Sequence, residues 1–110
     1  MSIEYKRVSW NAATTAQAVY TAPRGRVAII IGASYLNIDS SARTTSTYLV
    51  NDGDTFNDQN KVISDRSFEA DESWLGYPII GHVLEAGDSV YMSGSTNGSM
   101  NLRLSVKEIF

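Results

Sequence analysis

One histidine, no cysteine and a scatter of carboxylates are the raw material for chemistry in this chain. His82 lacks a partner nucleophile marked by local sequence: there is no Gly-x-Ser-x-Gly, and nothing picks out one serine. It sits in an apolar run that reads as a strand, so a packed or hydrogen-bonded structural role is expected of it. One imidazole without thiolates cannot build a zinc site, which needs three or four nitrogen or sulfur ligands. Asp52, Asp54, Asn57 and Asp58 crowd oxygen ligands into one loop, but the glycine and glutamate of an EF-hand are missing from its sixth and twelfth positions. A solvated loop is the expectation there. Glu69, Asp71 and Glu72 could supply the carboxylate pair of a glycoside hydrolase, yet acid pairs are common on surfaces and a glycosidase cleft needs a larger scaffold. No phosphate-binding loop or dinucleotide fingerprint occurs. These residues point away from an enzyme and from any metal or other cofactor.

Recognition is better supplied. Trp10, Trp74 and Tyr77 could stack on sugar or act as anchors at a protein interface; the competing expectation is that they fill the core. Leu75 and Gly76 separate Trp74 from Tyr77, which puts the two rings on opposite faces of a regular strand and at least one of them outside. Arg24 and Arg26 flank a glycine at a turn and could meet a phosphate or a partner surface. An acidic chain with so few clustered bases is a poor nucleic-acid binder. The candidate interface residues are therefore Trp10, Arg24, Arg26, Trp74 and Tyr77.

The elements that must position these residues are strands. No window keeps apolar residues at helical spacing, and alanine-rich 11–18, the best helix candidate, runs into a strand-like Ala18–Ala22. Val27–Ile31 is a β-branched run that continues to Ile38, as expected of a central strand buried on both faces. Gly32 inside it suggests a bulge or a close backbone approach. Residues 100–107 alternate strictly, with Met100, Leu102, Leu104 and Val106 on one side and Asn101, Arg103, Ser105 and Lys107 on the other. Glu108 and Ile109 break that pattern. Turn chemistry falls between the runs at Pro23-Arg-Gly25, Asn51–Asp54, Glu85–Asp88 and Asn97-Gly98, the last reading as a hairpin between 89–93 and 100–109. About eight short strands at this spacing predict an antiparallel β-sandwich, jelly-roll-like.

Length and composition agree. The chain's 110 residues suit one domain, 1–110, with residues 1–17 as a candidate N-terminal arm. Hydrophobic residues make up 43%, close to the globular average. The absence of cysteine favours a cytosolic origin or stabilisation by oligomerisation, and a start at Met1 with no apolar run after its basic pair suggests an unprocessed protein. The longest apolar run is far too short to span a bilayer as a helix, so no membrane partner is expected. Between Asp39 and Asp88 there are ten acids and three bases, while the two ends hold six bases and two acids. If the ends meet in space, one pole is expected to be basic and the other acidic.

Two segments carry a resemblance. Ala18-Val-Tyr-Thr-Ala-Pro-Arg-Gly-Arg leads to the long apolar strand and to Asn37-Ile-Asp39; later Leu84-Glu-Ala-Gly-Asp88 opens a pair of strands ending in Lys107-Glu-Ile109. In this order the motifs resemble small virion proteins of tailed bacteriophages, over about residues 18–110. The resemblance implies a capsid decoration (cement) protein that binds and stabilises the outer shell, or a neck or tail accessory. It further implies a homotrimer, the major capsid protein or other virion proteins as partners, and location in a virion assembled in the host cytoplasm. It brings no catalytic residues. The expectation from another class is a carbohydrate-binding module using Trp10, Trp74 or Tyr77.

Overall fold

A computed structural model describes residues 1–110. The strands are β1 (Ile3–Asn11), β2 (Gln17–Thr21), β3 (Val27–Asn37), β4 (Arg43–Val50), β5 (Lys61–Phe68), β6 (Ser73–Leu75), β7 (Val83–Leu84), β8 (Ser89–Gly94) and β9 (Met100–Ile109). They form two antiparallel sheets, one ordered β1-β9-β3-β6 with β7 also on β3, the other ordered β2-β8-β4-β5. β6 pairs with Ser34–Leu36 and β7 with Ala28–Ile29, so the two are one edge strand interrupted by the turn at residues 76–82. Taken as one strand, they leave eight strands in which the first pairs with the last, the second with the next to last, and so inward to β4 and β5. That wrapping of one long folded ribbon into two facing sheets is the jelly roll.

Local sequence explains the strands. Along β9, Met100, Leu102, Leu104 and Val106 are buried while the alternate residues face outward, as the period-two pattern requires. β3 is central but not buried on both faces, contrary to the expectation from its apolar run. Ala28, Ile30, Ala33 and Tyr35 face the core, while Val27, Ile31 and Leu36 are exposed. Its pairing with β9 slips between Ile30 and Gly32, a bulge at the glycine. A Cβ on Gly32 would lie 3.4 Å from the Cβ of Ser105.

Three other expectations are corrected. Asn97-Gly98 does not close a hairpin, because β8 and β9 belong to different sheets. The loop is instead a corner between the layers, held by Gly98 N donating to Ala12 O (2.9 Å) and Thr14 N to Asn97 Oδ1 (2.8 Å). Residues 1–17 are not an arm: Ile3–Asn11 pairs along its whole length with β9. The long-range pairing satisfies the backbone of an edge that local sequence leaves open. His82 lies in the turn before β7, exposed, with its carbonyl accepting from Ile30 N.

The interior holds a cluster of 17 buried hydrophobic residues. Tyr35 stacks on Phe68 at 6.2 Å and meets Trp74 at 5.5 Å. Its hydroxyl, fully buried between the sheets, is satisfied by Thr47 Oγ1 at 2.7 Å. Burial pushes the Tyr35 phenol upward, and the Thr47 bond only partly offsets that.

Candidate interaction surface

The residues singled out by sequence do not assemble into one site. Trp10 on β1 and Trp74 on β6 lie at opposite edges of the first sheet, both half-buried against the core. Arg66 covers Trp74 and Phe68, with its guanidinium carbon 4.1 and 4.3 Å from the two ring centroids. Tyr77 alone is largely exposed, at 68%. A sugar-stacking platform of the three rings is therefore not formed.

Arg24 and Arg26 are both engaged within the chain. Arg24 donates to both carboxylate oxygens of Asp52, at 2.9 and 3.2 Å. Arg26 donates to Glu4 (2.7 Å) and Glu108 (2.8 Å) and lies 3.7 Å above the Phe110 ring. These two arginines therefore add little to the expected basic pole, whose unpaired cations are Arg7, Arg103 and Lys107. The chain ends do meet, through paired Ser2 and Phe110, but acids at the same pole neutralise these arginines.

Glu108 is the centre of that pole. Its side chain is fully buried and accepts from Tyr20 Oη (2.5 Å) and Arg26 Nη1, with Lys6 Nζ at 3.2 Å. Burial alone would raise its carboxyl; the bonds from Tyr20, Lys6 and Arg26 together outweigh that and hold it below the usual glutamate range. Burial and the Glu108 bond push the Tyr20 phenol up in turn. Glu108 thus continues the inward alternation of β9 with a charge in place of an apolar residue. Along β9 alone it reads as a break, because its partners come from β1, β2 and the turn before β3.

The acidic loops are also occupied with their own turns. Asp88 accepts from Asp52 N and Glu85 N (2.8 and 2.9 Å), and Glu72 accepts from Glu69 N (2.8 Å). Asn57 accepts from Gln59 N and donates to Thr55 O, bracing the loop from inside. None of the four surface depressions is lined by Glu69, Asp71 or Glu72.

The least satisfied surface is the outer face of the first sheet. Strand register places Ile3, Ile109 and Val27 in one row, and Tyr5, Lys107, Ile29 and Val83 in the next. Ile31, the extra residue of the bulge, follows, with Leu75 beyond it on β6. Tyr5 is 67% exposed, Val83 57%, Leu75 50% and Ile31 46%. Large exposed apolar side chains gathered on one sheet face mark interaction sites more often than they occur on a protein that works alone. Beside it lies a shallow dish of about 330 Å³ lined by Arg7, Ser9, Arg103, Leu104 and Ser105. Arg7, Arg103 and Lys107 have no carboxylate within ion-pair distance, unlike Arg24, Arg26, Arg43, Lys61 and Arg66. The alternation of β9 already placed Arg103 and Lys107 together; Arg7 joins them only through the pairing of β1 with β9.

The second sheet is different outside. Its outward Tyr48 and Tyr91 are covered by Phe56 from loop 51–60, each ring 5.5 Å from it. Asp54 and Asp58 flank Phe56, and Asp65 hydrogen-bonds Ser46 nearby on the same sheet. Lys61 is the basic residue there, paired with Asp58 at 3.2 Å, which raises its ammonium.

The fold and this surface together define a non-covalently held β-sandwich with one covered and one uncovered sheet. No protein-family model matches the chain, and no curated protein does. A solved chain matches with 15% identity and a TM-score of 0.55, over 97% of this chain and 84% of its own. It was described under the words "Bacillus endospore appendages form a novel family of disulfide-linked pili". At that identity the likeness establishes the β-sandwich fold. It also corrects the expectation of a bacteriophage decoration protein: the matching fold belongs to a bacterial spore appendage, not to a virion. The capsid partners, the trimer and the virion location followed only from the phage resemblance.

Proposed function

We propose that this chain is a non-enzymatic structural subunit that assembles with further copies of itself, in the manner of a pilus or appendage protein. The observation that carries the reading is the uncovered apolar outer face of β1, β9, β3 and β7, beside a second sheet whose outer aromatics are already covered. Burying apolar surface contributes about 25 cal/mol per Å², so copies that cover this face gain stability that a monomer of this size lacks. The fold likeness to a pilus protein supports the same reading. That protein is described as disulfide-linked, whereas this chain has no cysteine, so its assembly rests on non-covalent contacts.

The test is sedimentation velocity with negative-stain electron microscopy over a concentration series of the purified chain. Species larger than the monomer that grow with concentration are expected. A monomer that persists to the solubility limit would overturn the reading. Denaturing electrophoresis without reductant is expected to give monomer from any assembly, since no thiol is available to cross-link it.

A further inference from the structure

We infer that the copies meet front to back, with Phe56 and its flanking Asp54 and Asp58 of one copy seated on the apolar and cationic outer face of the first sheet of the next. This rests on the self-assembly reading above and names the contact. The front offers Tyr5, Ile31 and Val83 among Arg7, Arg103 and Lys107, three cations without an intramolecular acid. The back offers an aromatic ring, 39% exposed, between Asp54 and Asp58, the second already paired with Lys61, with Asp65 on the same side. Apolar surface meets apolar surface, and opposite charges meet around it.

Charge decides against the symmetric alternatives. Front on front sets Arg7, Arg103 and Lys107 against their own copies, and back on back does the same to Asp54 and Asp65. Like charges brought together at a contact cost several kcal/mol. A front-to-back contact joins two different patches of the same chain, so each added copy presents a fresh patch and growth stays open or closes into a ring. The dish lined by Arg7, Arg103, Ser9 and Ser105 carries the donor types that bind a carboxylate from the neighbouring copy.

The test is a charge swap on the full chain. One variant carries Arg7→Glu and Arg103→Glu; the other carries Asp54→Lys and Asp58→Lys. Each alone is expected to raise the concentration needed for assembly by about tenfold or more, the change expected of about 1.4 kcal/mol per contact. Mixed in equal amounts they are expected to assemble again as an alternating copolymer, because every contact then pairs opposite charges. Wild-type chain that assembles while the variants assemble equally well overturns the front-to-back contact and leaves self-assembly standing. Variants that fail alone and also fail when mixed overturn it too. A wild-type chain that never assembles removes the underlying reading. Thermal melting confirms folding of each variant first; should a charge reversal unfold the chain, Arg7→Gln with Arg103→Gln provides the same concentration readout.

Discussion

Glu108 shows how one side chain can be both a liability and a fastener. A carboxylate with no solvent contact is costly unless it is paired, and this one has a phenol from β2, an ammonium from β1 and a guanidinium from the turn before β3. Replacing it by glutamine leaves Arg26 and Lys6 facing a neutral group at the edge of the core. Glu108→Gln is expected to lower stability by about 2–3 kcal/mol in urea unfolding, less than the roughly 3–5 kcal/mol of a fully buried pair because Lys6 and Arg26 still reach water. A loss within ordinary surface scatter would remove the fastening role. The pH dependence has a definite sign. The folded carboxyl sits below its unfolded value, so its contribution is complete above the ordinary glutamate range of about 4.3 and fades as pH falls through the lower folded value. The variant's stability is expected to change less over that acid window than the wild type's. At the alkaline end, the raised Tyr20 and Tyr35 phenols stay protonated in the fold while unfolded chains ionise near pH 10, so stability falls as pH rises past that value.

At the scale of elements, corners between the sheets depend on a few polar anchors. Asn37, buried at the end of β3, shares its two Nδ2 hydrogens among Ser41 O, Phe68 O and Glu69 O, and its Oδ1 accepts from Asp39 N. It ties the β3–β4 and β5–β6 loops to one strand end. Asn37→Ala leaves buried carbonyls unpaired and is expected to cost about 2–3 kcal/mol, read as a lowered melting temperature. Gly87 anchors the opposite corner. Its φ is +89°, and an added Cβ would lie 2.4 Å from Asp52 Cγ, the carboxylate that Arg24 holds. Gly87→Ala combines a strained backbone with that clash, and a loss of about 1–3 kcal/mol is expected in the same assay. An unchanged melting temperature would mean that the Arg24–Asp52 pair yields freely.

For the whole molecule, the two faces of the sandwich have different tasks. The second sheet hides its tyrosines under Phe56, and its exposed charges there are mostly acidic. The first sheet leaves an apolar and cationic surface open. Added salt screens contacts between exposed charges over a Debye length of about 8 Å at physiological strength. Assembly by the front-to-back contact is expected to weaken as salt rises, read from the sedimentation profile at fixed protein concentration. Assembly that strengthens with salt would point to an apolar contact in which Arg7, Arg103 and Lys107 take no part.

What is local can be read from the residues alone. Alternation in residues 100–107 set the faces of β9, Gly32 marked a bulge, and the turn residues cut the chain into strands of a jelly-roll-like sandwich. These signals need only the chain's own period and the φ preferences of glycine and proline. Which strands lie side by side is set by long-range packing. Asn97-Gly98 has hairpin chemistry, yet it turns a corner between sheets, because burying both apolar faces requires β8 and β9 in opposite layers. Glu108 reads as a flaw in a strand until Tyr20, Lys6 and Arg26 arrive from elsewhere. Arg7 and Arg103 share a dish only because the chain's two ends pair. Such meetings carry no local signature, since they are set by how the whole chain shares out its buried surface.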